Sequence, residues 1–324
     1  MFLIVEGIDR VGKTTLCQCL NKLGFITLKD AFNEQLAEAY YGGKYAQNSF
    51  GFDGYSIGKL DTSLRYIKCL CDAGFNIVAD RLHLTEYVYG SIDRQGWVDA
   101  KAVSVIDSMI DEIFGDDVAL VLMHAEGDFE GAQKRSGVNQ RRHAQLFDDR
   151  FAASKIKRKL TASYHYIPQA VEAIAGYAFK YDLYFASPFF RPDQVEREER
   201  LKDHLRDLGF KVFSPKEACH LSPDASIDAQ QETFDANIKA IRQSAGVFAI
   251  TDGKDMGTIW EAGYAFGLGK PIIYFAETLG NNQFNLMLAK SGRAVLKEQD
   301  DINAYRIRKA LYEGVTKVYM GVIE

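Results

Sequence analysis

Three groups of residues in this chain have the types and spacing to do chemistry. The first is Gly7-Ile-Asp-Arg-Val-Gly-Lys-Thr14, the spacing G-x-x-x-x-G-K-[ST] between an apolar run at 2–5 and a helix-forming run at 15–20. Gly7 and Gly12 let the backbone turn so that the successive N–H groups of Asp9, Arg10, Val11, Gly12, Lys13, Thr14 and Thr15 can face one anion. The helix N-terminus adds a favourable dipole. Lys13 can reach a β/γ-phosphate, and the Thr14 hydroxyl can ligate Mg²⁺. The second group is Asp80-Arg81, at the end of the apolar run 75–79, with the basic residues Arg135, Arg141 and Arg142 further on. The third is C-terminal: Tyr184, Ser187, Asn237, Asp252, Asp255, Gly257, Glu261 and Asn285. Glu261 stands among Trp260, Ala262 and Ala265, where a carboxylate has little company unless it works.

These groups need elements to position them. Apolar runs at 2–5, 75–79 and 118–123 read as buried strands. Helical patterns follow at 13–23, 57–73 and 99–114, and a last helix fades near 175. A Gly- and Tyr-rich loop is expected at 41–56. Residues 128–160, dense in Lys and Arg, read as a solvated helix or a lid. The pattern then restarts, with strands at 181–186, 210–213, 245–250 and 271–275. Helices are expected at 228–244, 257–269 and 304–319, and at 188–208 a turn that becomes a charged amphipathic helix. Strands alternating with helices on both sides of the seam predict an α/β chain of two parallel-sheet domains, 1–178 and 179–324. Ser187, Asp252 and Gly257 then fall at strand ends, where open α/β sheets bind ligands.

Composition excludes other classes. A formal net charge of −5 argues against a general or sequence-specific nucleic-acid binder and against an anionic-membrane binder. Five scattered cysteines make no disulfide framework, and their C-x-C pairs at 17/19 and 69/71 lack partner ligands for zinc. No apolar run reaches the ~18 residues of a membrane span. The start, MFLIVEGID, runs directly into the first loop and leaves no signal peptide. A reducing, cytoplasmic setting is expected.

The segment VEGIDRVGKTT, with Glu6 before the loop, Asp9 inside it and Asp80-Arg81 beyond, resembles the thymidylate kinase family of nucleoside monophosphate kinases over residues 1–176. The resemblance implies a P-loop kinase sheet, ATP and Mg²⁺. It also implies that Asp9 accepts a bond from a sugar 3′-hydroxyl, that Arg81 grips the acceptor phosphate beside Asp80, and that Arg10 is a catalytic arginine. Arg135 and Arg141 lie where that family closes over ATP. The run after Arg81, LHLTEYVYG, departs from the family, so His83, Glu86, Tyr87 and Tyr89 are candidates for an altered base pocket.

Residues 181–324 resemble the nucleoside 2-deoxyribosyltransferase family, through YFASPFF at 184–190, the D-x-G-x-x-x-E pattern from Asp255 to Glu261, and FNLM at 284–287. The resemblance implies a flavodoxin/Rossmann-like sheet and Glu261 as the nucleophile at C1′ of the sugar. It makes Tyr184 the group that orients Glu261, Asp255 a contact to the base, and Asn285 a contact made across a subunit interface of a homo-oligomer. Asn237 stands where the family often has an aspartate, so either Asp252 or Asp255 takes over proton delivery, or turnover is slow, or the substrate is a different one. Ser187, Ser291 and Arg293 are candidates for a phosphate. The expectation is a bifunctional enzyme acting on small-molecule deoxynucleotides by phosphoryl transfer and N-glycosidic transfer or hydrolysis. The alternative is a nucleotide-gated switch or sensor.

Overall fold

Apolar runs of five to seven residues, too short for helices, become parallel strands covered on both faces. β1 (Phe2–Glu6) is buried along its whole length, and β4 (Val118–His124) all but its last residue. The computed structural model describes residues 1–29, 54–93, 100–124, 140–218, 221–222, 224–278, 283–314 and 319–323. The chain divides into two units, Met1–Asn21 with Phe25–Ala170, and Lys22–Gly24 with Val171–Glu324.

In the first unit β1 leads to α1 (Lys13–Asn21), β2 (Phe25–Lys29), α2 (Gly54–Asp72) and β3 (Asn76–Asp80). Then come α3 (His83–Asp93), α4 (Ala100–Phe114), β4, α5 (Arg141–Ala153) and β5 (Arg158–Ser163). The five strands pair in the order β2-β3-β1-β4-β5, all parallel. β1 is central, so the loop at Gly7–Thr14 leaves the middle of the sheet between two neighbours. Two strands of this unit escape sequence reading, and both are edges. β2 (FITLK) and β5 (RKLTAS) are half exposed, because an edge strand has one paired side and tolerates charge. Arg158 and Lys159, expected in a lid or solvated helix, therefore belong to the sheet. The expected loop at 41–56 lies mostly, and Arg135 entirely, outside the described residues.

The long segment of the second unit begins at Val171, inside α6 (Ile167–Ala178). It contains β6 (Tyr181–Ala186), α7 (Pro192–Asp207), β7 (Val212–Phe213), α8 (Pro215–Ala218), α9 (Ile227–Arg242) and β8 (Ser244–Ile250). These are followed by α10 (Met256–Gly267), β9 (Ile272–Phe275), β10 (Gln283–Phe284), α11 (Leu286–Ser291), β11 (Ala294–Leu296), α12 (Ala304–Tyr312) and β12 (Val322–Ile323). The main sheet runs β11-β9-β8-β6-β7, again all parallel, while β10 and β12 form a separate pair. In chain order this is the 2-1-3-4-5 arrangement of flavodoxin-like sheets, whose switch point lies between the first and third strands, here β6 and β8. Alternation sends Tyr184, Ala186, Val247 and Ala249 to one core and stacks Phe185, Phe248 and Phe275 on the opposite face.

Two helix ends are set by local contacts. α7 begins at Pro192, after the turn expected from Pro188, where the Gln194 side chain caps the N–H groups of Phe190 and Arg191, both at 3.1 Å. α12 stops at Tyr312, where Gly314 takes φ 138 and turns the chain out of the helix. Among the described residues no helix is long and apolar enough to cross a membrane.

One buried charge has a measurable consequence. Lys270 is 7% exposed, donates to the Ser244 carbonyl at 2.6 Å and lies 4.4 Å over the Phe179 ring. Burial pulls its amine from 10.5 down to about 7. Between those pH values the unfolded chain holds a proton that the folded chain has released. Stability therefore rises with pH across that window, by up to about 1.4 kcal/mol per pH unit. Denaturant unfolding between pH 7 and 10 should show this slope in the wild type and a flatter one in Lys270→Met; equal slopes refute the assignment.

Candidate active site

The N-terminal site is the loop between β1 and α1. Gly7 and Gly12 have φ 139 and 95, and a Cβ at Gly7 would lie 2.6 Å from the Met123 carbonyl oxygen. Lys13 folds back to donate to the carbonyls of Gly7 at 2.7 Å and Ile8 at 2.6 Å. Burial, with the Arg81 charge adding to it, pulls the Lys13 amine down to about 8. Thr14 donates to Asp80 Oδ2 at 3.1 Å. The other Asp80 oxygen is buried with no hydrogen-bond partner. A hydroxyl and a carboxylate so placed fit the oxygen set of Mg²⁺, which takes few protein ligands and completes its shell with phosphate and water. Arg81 Nη2 donates to Asp9 Oδ1 at 2.6 Å. Arg10 is exposed on a left-handed backbone, φ 64, and Thr15 is exposed at the start of α1. Arg141 and Arg142 are exposed in the first turn of α5.

Three candidates for the base pocket turn out to hold structure instead. His83 is fully buried, 3.2 Å from Asp107. Tyr87 takes Arg150 over its ring at 4.5 Å. Tyr89 is 8% exposed and its ring packs on His143 and Phe147. Glu6 is structural too. It is fully buried and accepts from the N–H groups of Leu82 and Leu84 at 3.0 Å, from that of Thr85 at 3.2 Å, and from the Thr85 hydroxyl. It thereby caps α3 against the helix dipole.

The C-terminal site lies at the end of β6, under α10. Tyr184, buried in the core, donates its hydroxyl proton to Glu261 Oε1 at 2.5 Å. Burial raises the Glu261 carboxyl to about 7; the Tyr184 bond opposes the shift and the Asp255 charge adds to it. Ser187 is buried just past β6, and Asn237 is half-buried on α9. Asp255 caps α10, accepting from the Thr258 N–H at 2.8 Å and hydroxyl at 3.0 Å, with Gly257 in the first turn. Asp252 accepts from the N–H groups of Glu277 at 3.0 Å and Thr278 at 2.5 Å, and from the Thr278 hydroxyl. Both its oxygens are bonded, so Asp252 is a strut between the loops after β8 and β9 rather than the expected proton donor. Asn285 caps α11 through the Met287 N–H at 2.9 Å. Asn285, Asp252, Lys254 and Ile259 line a cavity of about 510 Å³ whose lining includes neither Tyr184 nor Glu261.

The expected phosphate ligands Ser291 and Arg293 are engaged elsewhere. Ser291 pairs with the Tyr274 hydroxyl at 2.9 Å, and Arg293 donates to the carbonyls of Ala310 and Leu311. Sequence reading missed an aromatic stack of Phe234, Trp260 and Tyr264 between α9 and α10, with centroids 5.6 and 5.5 Å apart. The four-residue spacing of Trp260 and Tyr264 was the available signal.

Residues 183–296, which include Tyr184, Asp255, Glu261 and Asn285, match the family model described as nucleoside 2-deoxyribosyltransferase. The C-terminal unit is nucleoside 2-deoxyribosyltransferase-like. Among solved structures, a 2-deoxyribosyltransferase from the psychrotolerant bacterium Bacillus psychrosaccharolyticus is 30% identical, covering 41% of this chain and 98% of that one at TM-score 0.37. A conserved protein from Enterococcus faecalis is 20% identical over 40% of this chain and 98% of its own, at TM-score 0.35. The YorR protein of Bacillus subtilis, solved with phosphorylated GDP, is 11% identical over 64% of this chain and 98% of its own, at TM-score 0.36. No curated protein matches the chain.

Within the transferase-like unit the Tyr184 bond favours the ionised form of Glu261. Tyr184→Phe should therefore raise the Glu261 pKa above about 7. Carboxyl titration followed by ¹³C NMR checks this, and a downward or absent shift refutes it.

Proposed function

We propose that the C-terminal unit breaks and remakes the N-glycosidic bond of a 2′-deoxynucleoside or its 5′-monophosphate, with Glu261 as nucleophile. The observation that carries this is the Tyr184–Glu261 contact at 2.5 Å, on a carboxyl that burial holds near 7, in a unit matching the family model. The ionised Glu261 attacks C1′ while the C1′–N bond breaks; that bond's electron pair leaves on the base, which takes up a proton delivered by Asp255 or by solvent. A second base or water then attacks C1′ and returns the electron pair to Glu261. This is the retaining logic of a carboxylate nucleophile. Tyr184 orients Glu261 and shares its developing charge. Asp255, already fixed as the α10 cap, and Asn285 stand in the positions that the resemblance assigns to base and sugar contacts.

For the N-terminal unit we propose phosphoryl transfer from ATP to a deoxynucleoside monophosphate. The support is the left-handed pair Gly7 and Gly12, the buried Lys13, the central position of the loop in a β2-β3-β1-β4-β5 sheet, and the Asp9–Arg81 pair. Lys13 and Arg10 neutralise charge on the transferred group, which is most of what such a reaction asks of a protein. Arg81 meets the acceptor phosphate, and Asp9 the sugar hydroxyl. Thr14 and Asp80 would hold Mg²⁺, whose contribution is charge neutralisation across the β- and γ-phosphates. Arg141 reaches the nucleotide from α5. The partly exposed Phe234, Trp260 and Met256 of the transferase-like unit suit self-association into a homo-oligomer.

A panel of deoxynucleosides and their monophosphates, incubated with and without ATP and read by mass spectrometry, tests both halves together. Free or exchanged base should form and fall by on the order of a thousandfold or more in Glu261→Gln. Its rate should climb about tenfold per pH unit below about 7 and level off above, because only the ionised Glu261 attacks. Base release that survives Glu261→Gln, or is flat with pH, refutes the nucleophile. A diphosphate should appear only with ATP and Mg²⁺ and vanish in Lys13→Met; ATP hydrolysis indifferent to any monophosphate refutes the kinase half.

A further inference from the structure

Tyr89 came forward in the sequence as a base-pocket candidate, and the structure gives it no base to meet. Its ring is covered by His143 at 4.9 Å and Phe147 at 6.3 Å, both on α5. What remains directed at the site is its hydroxyl. That oxygen accepts the backbone N–H of Asp9 at 2.9 Å, eighty residues away in sequence. Burial and the nearby Asp9 carboxylate push the phenol pKa up, so the hydroxyl stays protonated at any physiological pH.

The position of that bond matters because of the backbone around it. Asp9 lies between Gly7 at φ 139 and Arg10 at φ 64, both in left-handed conformations. A non-glycine residue there costs energy and persists only where its surroundings hold it. The part-buried bond from the Asp9 N–H to the Tyr89 hydroxyl is one such hold and selects this conformer. The selected conformer places Asp9 Oδ1 2.6 Å from Arg81 Nη2, and Arg81 is itself left-handed at φ 79. Arg81 thus rests on strained backbone and Asp9 stands next to the strained Arg10, and Tyr89 is the tether on the Asp9 side. Thr14 is held separately by Asp80 and Lys13 also by the Gly7 carbonyl, while the Lys13 bond to the Ile8 carbonyl shares the peptide plane of the Asp9 N–H.

We propose that Tyr89 is a positioning residue that sets acceptor recognition: its hydroxyl, braced by α5, fixes the Asp9 backbone and so aims the Asp9–Arg81 pair at the sugar and phosphate of the acceptor monophosphate. This rests on the kinase reading of the N-terminal unit. The geometry separates two substrates that share one loop. The acceptor side depends on the Tyr89 hydroxyl through Asp9 itself, and the ATP side depends on it less, because Lys13 and Thr14 keep their bonds to Gly7 and Asp80.

Tyr89→Phe keeps the ring and its packing and removes only the hydroxyl. The expected result is a rise of about tenfold in the KM for the monophosphate, with the KM for ATP and the thermal midpoint little changed. Tyr87→Phe, on the same helix with its hydroxyl bonded to Arg150 at 3.2 Å, is the control and should change neither KM. Equal shifts in both KM values, or in neither, overturn the proposal, as does a fall in the thermal midpoint large enough to account for the loss. Hydrogen exchange of a peptide spanning residues 7–10 gives a readout independent of activity. It should speed up several-fold in Tyr89→Phe and stay unchanged in Tyr87→Phe. If the wild type transfers no phosphoryl group, the kinase reading fails, and faster exchange still shows the tether; if transfer occurs but exchange is unaltered, the tether alone fails.

Discussion

A parallel strand covered on both faces cannot carry a charge within its length, because water reaches neither side. This constraint organises both units. Along β1 and β8 the interior side chains are apolar, and the first carboxylates come where the strand runs out, at Glu6 and Asp252. β3 keeps Asp80 for its last position. Because all strands in each main sheet point the same way, these residues gather at one edge, where helix N-termini also arrive. The sites need no further device to be brought together.

Gathering acids at an edge does not make them reactive, and the hydrogen bonds decide which ones are. Glu6 is fully buried but has four donors; Asp252 has three, and Glu198 accepts from Ser214 at 2.8 Å with Lys202 and Lys216 beside it. A carboxylate satisfied to that degree is a fastener. Desolvation raises the Glu6 and Glu261 carboxyls alike, but Glu261 has the Tyr184 hydroxyl as its donor and another negative charge nearby, where Glu6 has four donors. The same contrast holds in the first unit, where Asp80 keeps one buried oxygen without a partner while Glu6 keeps none.

Much of this was legible in the sequence. The loop at Gly7–Thr14, the central strands and the pairing of Tyr184 with Glu261 follow from spacing, apolar runs and resemblance. What misled were residues whose type suits two roles. Arg158 and Lys159 look like a solvated helix until β4 offers them an edge to pair with. Arg293 looks like a phosphate ligand until the end of α12 brings it the carbonyls of Ala310 and Leu311. Tyr89 looks like a pocket wall until α5 covers its ring.

The sequence by itself determined where backbone must turn and where charge can stand, since glycine spacing and apolar runs are local properties. Only the tertiary structure decided which polar groups are left unsatisfied. That count depends on partners brought from far along the chain: Tyr184 to Glu261, Thr278 to Asp252, Leu82 to Glu6, Tyr89 to Asp9. Two glutamates of identical chemistry thus end as a helix cap and a candidate nucleophile, and the difference between them is the number of donors that the fold supplies.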